Sequence, residues 1–342
     1  MLSSRLDWID GAKGIFAIIV VVCHIFVTIR VGGDHPIIIH NLYDGNFAVS
    51  AFIVLSSMLT CHGIELNRER LLYKYQNIVL KRYFRLVIPV GVIIIAMYFA
   101  NLLGLFYSEE YGQKTNNEWL INITADWRDL PGMILGAPFV GAYTILRVSW
   151  MLQYVFLGTM WIIILDIMLH GKAIATKLFL LSICGYIAWK MNFYYVNVIA
   201  GYGLYFFCEQ IYCKRFLRFG LILSLFIIFV VSDVYVRSFE WNMVRAICVV
   251  AICMLTQNIK AILSTSFFVW LGKISMNIYL LQLFVIYSFT CRMADVLEHN
   301  PMNIFIIVIL SLSFIIGIAF IYTIYVETRL NKITNKIVER LV

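Results

Sequence analysis

The chain contains 342 residues, of which 62% are hydrophobic and 13% are charged. Together with a mean hydropathy of +0.87, this composition excludes an ordinary soluble globular protein and indicates a polytopic membrane protein. The formal net charge of +8 requires no nucleic-acid partner, because membrane proteins carry such an excess in the loops on one side of the bilayer.

The first apolar run carries one histidine. Lys13 lies just before the run, and His24 lies within it, eleven residues later. On an α-helix this spacing is three turns plus about 20°, with an axial distance of roughly 16 Å, so both side chains share one stripe. The stripe could hold a long ligand, with an anionic head near Lys13 and a reactive end near His24. Two alternatives stay open: Lys13 snorkels to the headgroups, and His24 makes an interhelical hydrogen bond.

Ten apolar runs are long enough, or nearly long enough, to cross a bilayer as helices. Because the runs are continuous rather than alternating, they favour an all-α, polytopic transmembrane helix bundle over a β-barrel. The predicted spans are Ile15–Ile29, Phe47–Cys61, Leu86–Tyr107, Val148–Leu169, Leu178–Trp189, Phe193–Ile211, Leu221–Val236, Met243–Leu255, Phe267–Thr290 and Ile304–Val326.

The distribution of lysine and arginine predicts the orientation of this bundle. With a cytoplasmic N-terminus, 19 of the 27 lysine and arginine residues lie on the inside and eight on the outside, which supports ten spans and two cytoplasmic termini. The first run is followed by Thr28, Ile29 and Arg30 rather than by small residues, so it is expected to remain as an anchor. No soluble domain is left to assign, and residues 1–342 are predicted to form one membrane-embedded domain.

The longest loop, about Ser108–Arg147, is predicted to be external. It contains carboxylates together with Trp119 and Trp127. Carbohydrate binds readily to carboxylates beside aromatic faces, but an ordinary solvated loop accounts for the same residues. Both interpretations stay open.

A basic cluster precedes the third run. Arg82 and Arg85 are three residues apart within Leu80–Pro89, and they therefore share one helix face. Two forked guanidinium groups on one face suit the binding of phosphate oxygens. Charge that only anchors the helix end on the cytoplasmic side is the alternative.

The eight cysteines are scattered, and their spacing indicates neither disulfides nor a metal site. They are interpreted as small apolar fillers. No metal cofactor is predicted.

These motifs, taken together, resemble the acyltransferase-3 family of integral membrane O-acyltransferases. The resemblance rests on Asp-Gly-x-x-Gly ahead of a histidine in the first span, and on Arg-x-x-Arg ahead of a proline at the third. It extends over almost the whole chain. The further matching segments are FIVLSSML at Phe52–Leu59, VSWMLQY at Val148–Tyr154, WLGKISMNIYLLQ at Trp270–Gln282, and Val326-Glu327.

The resemblance implies transfer of an acyl group, expected to be acetyl, from acyl-coenzyme A to a hydroxyl of a surface polysaccharide or its lipid-linked precursor. It places the family's essential histidine at His24, its paired arginines at Arg82 and Arg85, and its preceding cation at Lys13. It also implies a multi-pass protein of the inner (plasma) membrane in contact with lipid; a homo-oligomer stays open. Further contacts to substrate or to the oxyanion are expected among Tyr279, Asn277, Ser275, Trp150, Gln153 and Glu327.

The chain departs from the family pattern at four positions. Lys13 replaces an arginine, and Ser57 replaces a glycine of the second span. Gln153 stands where a glutamate is common, and Gln282 stands where a histidine is common. The last two changes remove titratable groups but keep the capacity for hydrogen bonding.

Two other classes of function are weighed against an enzyme. A transporter of polysaccharide or lipid-linked glycan would show an internal repeat and broken spans, and neither is evident in the sequence. A non-catalytic membrane scaffold would leave His24 and the two arginines without a role. Thermal protection by acyl-coenzyme A that depends on Arg82 and Arg85 would separate the enzyme from both.

Overall fold

A computed structural model describes residues 6–30, 44–66, 71–141, 145–212, 215–235, 239–298 and 300–341. Within these ranges the chain is helical and forms no strand. The helices are α1 (Asp7–Ile29), α2 (Gly45–Glu65), α3 (Leu71–Leu102), α4 (Ser108–Thr115), α5 (Leu130–Val140), α6 (Met151–Leu169), α7 (Ile174–Met191), α8 (Phe193–Tyr212), α9 (Arg215–Tyr235), α10 (Phe239–Leu255), α11 (Gln257–Leu263), α12 (Ser266–Val285), α13 (Cys291–Val296), α14 (Pro301–Tyr322) and α15 (Thr328–Leu341).

Four short turns interrupt or join these helices. Two are 3₁₀ turns, Glu118–Leu120 and Arg147–Trp150. Two are π-helical, Ile286–Thr290 between α12 and α13 and Thr323–Glu327 between α14 and α15. Because π-helical turns are often found at functional sites, both are noteworthy.

The all-helical, membrane-type fold is confirmed for the described residues. Seven of their helices are long and apolar enough to cross a membrane, and there are eight if α10 and α11, bent by 94°, form one span. All ten predicted runs fall on helices, although Val236, the last residue of the seventh run, lies outside the described ranges. Ten spans and two cytoplasmic termini stay predictions.

Some helix boundaries differ from the predicted ones. Helix α1 begins at Asp7 rather than at Ile15, so the polar segment with Lys13 is helical as well. Helix α3 begins at Leu71, well before the predicted start, and therefore includes both arginines. It ends at Leu102, before the predicted end at Tyr107, because Gly104 adopts a left-handed conformation with φ of +69°.

The chain divides into two compact units. The first unit consists of Met1–Phe16, Asn46–Val79 and Tyr154–Lys273. The second consists of Ala17–Gly45, Leu80–Gln153 and Ile274–Val342. His24, Arg82 and Arg85 belong to the second unit, and Lys13 belongs to the first. A single membrane-embedded domain stays a prediction.

Glycines in the first unit let α1 approach the start of α12 closely. A Cβ atom on Gly14 would lie 2.8 Å from the backbone nitrogen of Gly272, and a Cβ on Gly272 would overlap the carbonyl of Asp10. A Cβ on Gly11 would likewise overlap the Leu263 carbonyl. Close backbone packing of this kind is common where small residues face each other between membrane helices. It gives the Asp-Gly-x-x-Gly motif a structural role.

We expect Gly272→Ala to lower the thermal unfolding midpoint of the protein in detergent. The added methyl group cannot be accommodated without moving α1, and overpacking of this kind costs about 1–3 kcal/mol. Gly203→Ala is the matched control, because a Cβ there meets no atom within 4 Å. Equal midpoints for the two variants would contradict the close packing of α1.

The serine at position 57 is accommodated by a glycine on another helix of the first unit. A Cβ on Gly201 would lie 2.7 Å from the Cβ of Ser57 and 2.6 Å from the Val54 carbonyl oxygen. The Ser57 hydroxyl donates a hydrogen bond to the Ile53 carbonyl at 2.9 Å. The absence of a side chain at Gly201 therefore leaves room for the side chain at position 57.

Candidate active site

His24 lies near the C-terminal end of α1. Five residues, or roughly 8 Å along the axis, separate it from Ile29, the last residue of the helix. Its imidazole is half-buried, and its backbone carbonyl accepts a hydrogen bond from the Thr28 hydroxyl at 2.8 Å. The imidazole is therefore closer to the far end of the helix than to Lys13.

A hydrogen bond to the side chain of Gln282 on α12 orients the imidazole. The His24 Nδ1 atom lies 2.9 Å from the Gln282 Oε1 atom. The Gln282 Nε2 atom donates to the Tyr279 carbonyl at 2.8 Å, so the amide oxygen faces the imidazole. Because that oxygen can only accept, Nδ1 of neutral His24 carries the proton and Nε2 keeps its lone pair. Gln282 is 0% exposed, so water does not compete for these bonds.

Trp119 covers the imidazole of His24. The two ring centroids are 5.3 Å apart with an interplanar angle of 19°, which is a stacked arrangement. Trp119 lies on the 3₁₀ turn Glu118–Leu120, and its backbone amide donates a hydrogen bond to the Asn117 side chain. The long loop thus contributes directly to the surroundings of His24, which neither sequence-based interpretation of that loop included.

The loop segment that carries Trp119 is tied to the end of α1. The Asn117 side chain donates to the carbonyls of Val27 at 3.0 Å and Thr28 at 3.4 Å. These carbonyls belong to the last turn of α1, where no intrahelical donor is available. Arg30 donates in addition to the Asn116 carbonyl. The C-terminal end of α1 and the loop therefore form one connected structure.

Arg147 fastens the other side of the same segment. Its guanidinium donates to the carbonyls of Trp119 at 3.0 Å, Ile121 at 2.6 Å and Glu118 at 3.4 Å. Hydrogen bonds from a charged donor contribute about 1.5–3 kcal/mol each, more than neutral ones. In the sequence Arg147 marks only the end of the long loop, and its role depends on tertiary contacts that no local pattern reveals.

An ion pair at the surface links the loop to α13. The Lys114 Nζ atom lies 3.0 Å from Asp295 Oδ1 and 2.9 Å from Glu110 Oε1. Hydrogen bonds to the carboxylates of Glu110 and Asp295 raise the pKa of Lys114 above its usual value. Exposed pairs of this kind add little to stability. We therefore attribute the position of Trp119 mainly to Asn117 and Arg147.

The predicted phosphate-binding arginines lie one turn apart on α3. Arg82 is half-buried, and Arg85 is exposed. Pro89 follows inside the same helix, and its carbonyl accepts a hydrogen bond from the Tyr322 hydroxyl at 3.1 Å. The helix holds both guanidinium groups in the register predicted from their spacing.

Lys13 packs against an aromatic ring of the first unit. Its Nζ atom lies 4.9 Å from the centroid of Phe52, within the range of a cation–π interaction. The side chain is half-buried. Its role in binding a ligand stays a prediction.

The hydrogen-bond donors of two predicted oxyanion residues are occupied within the second unit. The Tyr279 hydroxyl donates to the Val148 carbonyl at 2.5 Å. The Asn277 amide donates to Thr323 Oγ1 at 2.7 Å and to Glu327 Oε2 at 2.5 Å. Both residues, and Glu327 with them, therefore connect helices in this structure.

The remaining candidates, Ser275, Trp150 and Gln153, occupy different environments in the second unit. Ser275 is buried on α12. Trp150 is half-buried in the turn before α6, and Gln153 is half-buried in the first turn of α6. Roles for these three residues stay predictions. Among the described residues, no group of three histidine, cysteine or acidic side chains could hold a metal ion.

The acyltransferase-3 model, described as an acyltransferase domain, matches residues 6–323. No curated protein and no solved structure matches the chain.

Proposed function

Because the chain belongs to the acyltransferase-3 family, we propose that it transfers an acyl group from acyl-coenzyme A to a hydroxyl of a cell-surface polysaccharide or its lipid-linked precursor. The family match and the helical membrane-type fold support a membrane acyltransferase. The choice of acetyl as the acyl group, of a glycan as acceptor and of the plasma membrane rests on the resemblance described above. The observation that carries the proposal is the hydrogen bond between His24 and Gln282.

That hydrogen bond suits His24 for general base catalysis. With the proton fixed on Nδ1, the Nε2 lone pair is available to take a proton from the acceptor hydroxyl as its oxygen attacks the thioester. The resulting imidazolium then protonates the departing thiolate of coenzyme A. The same lone pair could instead attack the thioester and carry the acyl group, and the geometry suits either route.

Trp119 supports this chemistry by restricting the imidazole. A ring stacked on one face holds the plane of His24 and keeps water from that face. Exclusion of water favours transfer to a sugar hydroxyl over hydrolysis of the thioester. The bonds from Arg147 and Asn117 to the surrounding backbone keep Trp119 in place.

Arg82 and Arg85 are proposed to bind the phosphates of coenzyme A. Their spacing on α3 allows both guanidinium groups to contact phosphate oxygens. The flexible pantetheine arm would then bring the thioester to His24, and a contribution of Lys13 to donor binding stays a prediction.

The transfer can be followed by mass spectrometry. Membrane vesicles from a host that makes the surface glycan, with its own acyltransferase deleted, are supplied with acetyl-coenzyme A labelled with ¹³C in the acetyl group. We expect labelled acetyl ester on the glycan only when the chain is expressed. Labelled free acetate without glycan ester, or no consumption of the donor, would contradict the proposed function.

We expect Gln282→Leu to reduce kcat by about 10–100-fold, which is less than the roughly 10²–10⁴-fold contributed by a general base itself, while KM for acyl-coenzyme A changes little. Leucine removes the acceptor that fixes the imidazole tautomer, whereas Gln282→His supplies one acceptor and one donor and should restore much of the rate. Rates measured at several donor concentrations separate kcat from KM. Equal rates for the leucine and histidine variants would contradict the role of Gln282 as a positioning residue.

A further inference from the structure

Tyr287 lies on the π-helical turn Ile286–Thr290, close to the surroundings of His24. Its ring centroid is 6.1 Å from that of Trp119, which in turn stacks on His24. The centroid of the same ring lies 5.7 Å from that of Phe106, and the backbone carbonyl of Tyr287 accepts a hydrogen bond from the Tyr107 amide at 2.8 Å. Tyr287 is therefore fixed in the same unit as the candidate base.

The hydroxyl group of Tyr287 has no hydrogen-bond partner among the described residues. The whole residue is 0% exposed, so water does not supply one at the surface. A buried polar group without a partner costs about 1–3 kcal/mol. Phenylalanine would fill the same space without that cost, so the hydroxyl calls for an explanation in function.

Three other polar side chains of this unit have their hydrogen-bond donors occupied. Tyr279 donates to the Val148 carbonyl, and both amide hydrogens of Asn277 are taken by Thr323 and Glu327. Gln282 uses its amide group to hold the imidazole and the Tyr279 carbonyl. Tyr287 thus differs from these three residues in having a buried donor that the fold does not use.

We propose that the Tyr287 hydroxyl donates a hydrogen bond to the carbonyl oxygen of the acyl group during transfer. This inference deepens the proposed function and rests on it. The acceptor oxygen attacks the carbonyl carbon, its proton passes to His24 Nε2, and the carbonyl π electrons move to the oxygen. The Tyr287 hydrogen bond stabilises that oxyanion. When the carbonyl re-forms, the C–S bond breaks, and the thiolate takes the proton from His24.

The test is Tyr287→Phe in the labelled-acetyl assay. Loss of one oxyanion donor lowers kcat by about 100-fold or more in other acyl-transfer enzymes, and we expect a similar fall here. KM for acetyl-coenzyme A should stay within about twofold, because the bond is made chiefly in the transition state. The thermal midpoint should equal or exceed that of the native chain, because an unpaired buried hydroxyl has been removed.

Two further variants keep the test decisive. Tyr195→Phe is the matched control, since it removes a hydroxyl from a buried tyrosine of the first unit and should leave kcat unchanged. Tyr287→3-fluorotyrosine keeps the shape and strengthens the donor, so its kcat should equal or exceed the native value even if the phenylalanine variant is unstable. A native rate in Tyr287→Phe, or a rate in the fluorinated variant as low as in Tyr287→Phe, would overturn the inference. Failure of the native chain to transfer acetyl would instead overturn the proposed function.

Discussion

Replacement of His24 by alanine is expected to lower acyl transfer by about a thousandfold, because a positioned general base contributes about 10²–10⁴ to the rate. The labelled-acetyl assay at matched membrane expression measures the effect. The change should appear in kcat, because His24 acts on the acceptor hydroxyl and the thioester rather than on the phosphates of the donor. The alanine variant should still be protected thermally by acyl-coenzyme A.

His62→Ala provides the matched control for this substitution. Like His24, His62 lies near the end of a helix, and its imidazole hydrogen-bonds the Tyr205 hydroxyl at 3.1 Å in the first unit. Its loss should affect stability rather than transfer. Acylation by the His24→Ala variant at the native rate would remove His24 as the catalytic residue. Peptide mapping of acid-quenched native protein distinguishes general base catalysis from a covalent route. An acyl mass increment on the peptide that contains His24 would indicate a covalent intermediate.

Simultaneous replacement of Arg82 and Arg85 by glutamine is expected to weaken binding of acyl-coenzyme A by about 10²-fold or more. Each guanidinium–phosphate bond is worth about 1.5–3 kcal/mol, and about 1.4 kcal/mol corresponds to a tenfold change in affinity. Thermal protection by acyl-coenzyme A measures binding directly, because a ligand stabilises the native state according to its concentration relative to Kd. At saturating donor, kcat should change far less than KM.

Arg329→Gln combined with Arg340→Gln removes the same number of positive charges from exposed positions of α15. This control should retain the native protection, which separates a specific phosphate site from a general electrostatic effect. Undiminished protection of the Arg82/Arg85 variant would place the donor elsewhere. It would leave the anchoring of α3 as the role of the two arginines.

The helices were largely predictable, whereas the arrangement around His24 was not. Continuous apolar runs identified ten helical segments, since hydropathy reports local sequence directly. The Asp-Gly-x-x-Gly pattern was visible as a motif, but its structural reason required the close approach of Gly14 to Gly272. Helix ends were less predictable, because a helix can extend beyond its apolar run into a polar segment, as α1 does over residues 7–14.

The partners of His24 lie far from it in sequence. Gln282 is 258 residues away and was noted only as a departure from a family pattern. Trp119 and Arg147 belong to a loop, where no periodicity indicates which way a side chain points. Tyr287 lies on a π-helical turn that no sequence pattern revealed. Residue type therefore identified the candidate base, but the groups that fix its tautomer and cover its ring depend on tertiary contacts.

The π-helical turn Ile286–Thr290 also makes the length of this segment important. A π turn contains one residue more than the α-helix would need, and each residue rotates an α-helix by about 100°. Gln282 before the turn bonds His24, while Asp295 after it bonds Lys114. Deleting one residue between Gln282 and Asp295 would convert the π turn into regular α-helix. If Gln282 stayed in place, Asp295 would then be rotated away from Lys114. In such a deletion variant Lys114 should therefore lose its ion pair with Asp295, even where the hydrogen bond between His24 and Gln282 is kept.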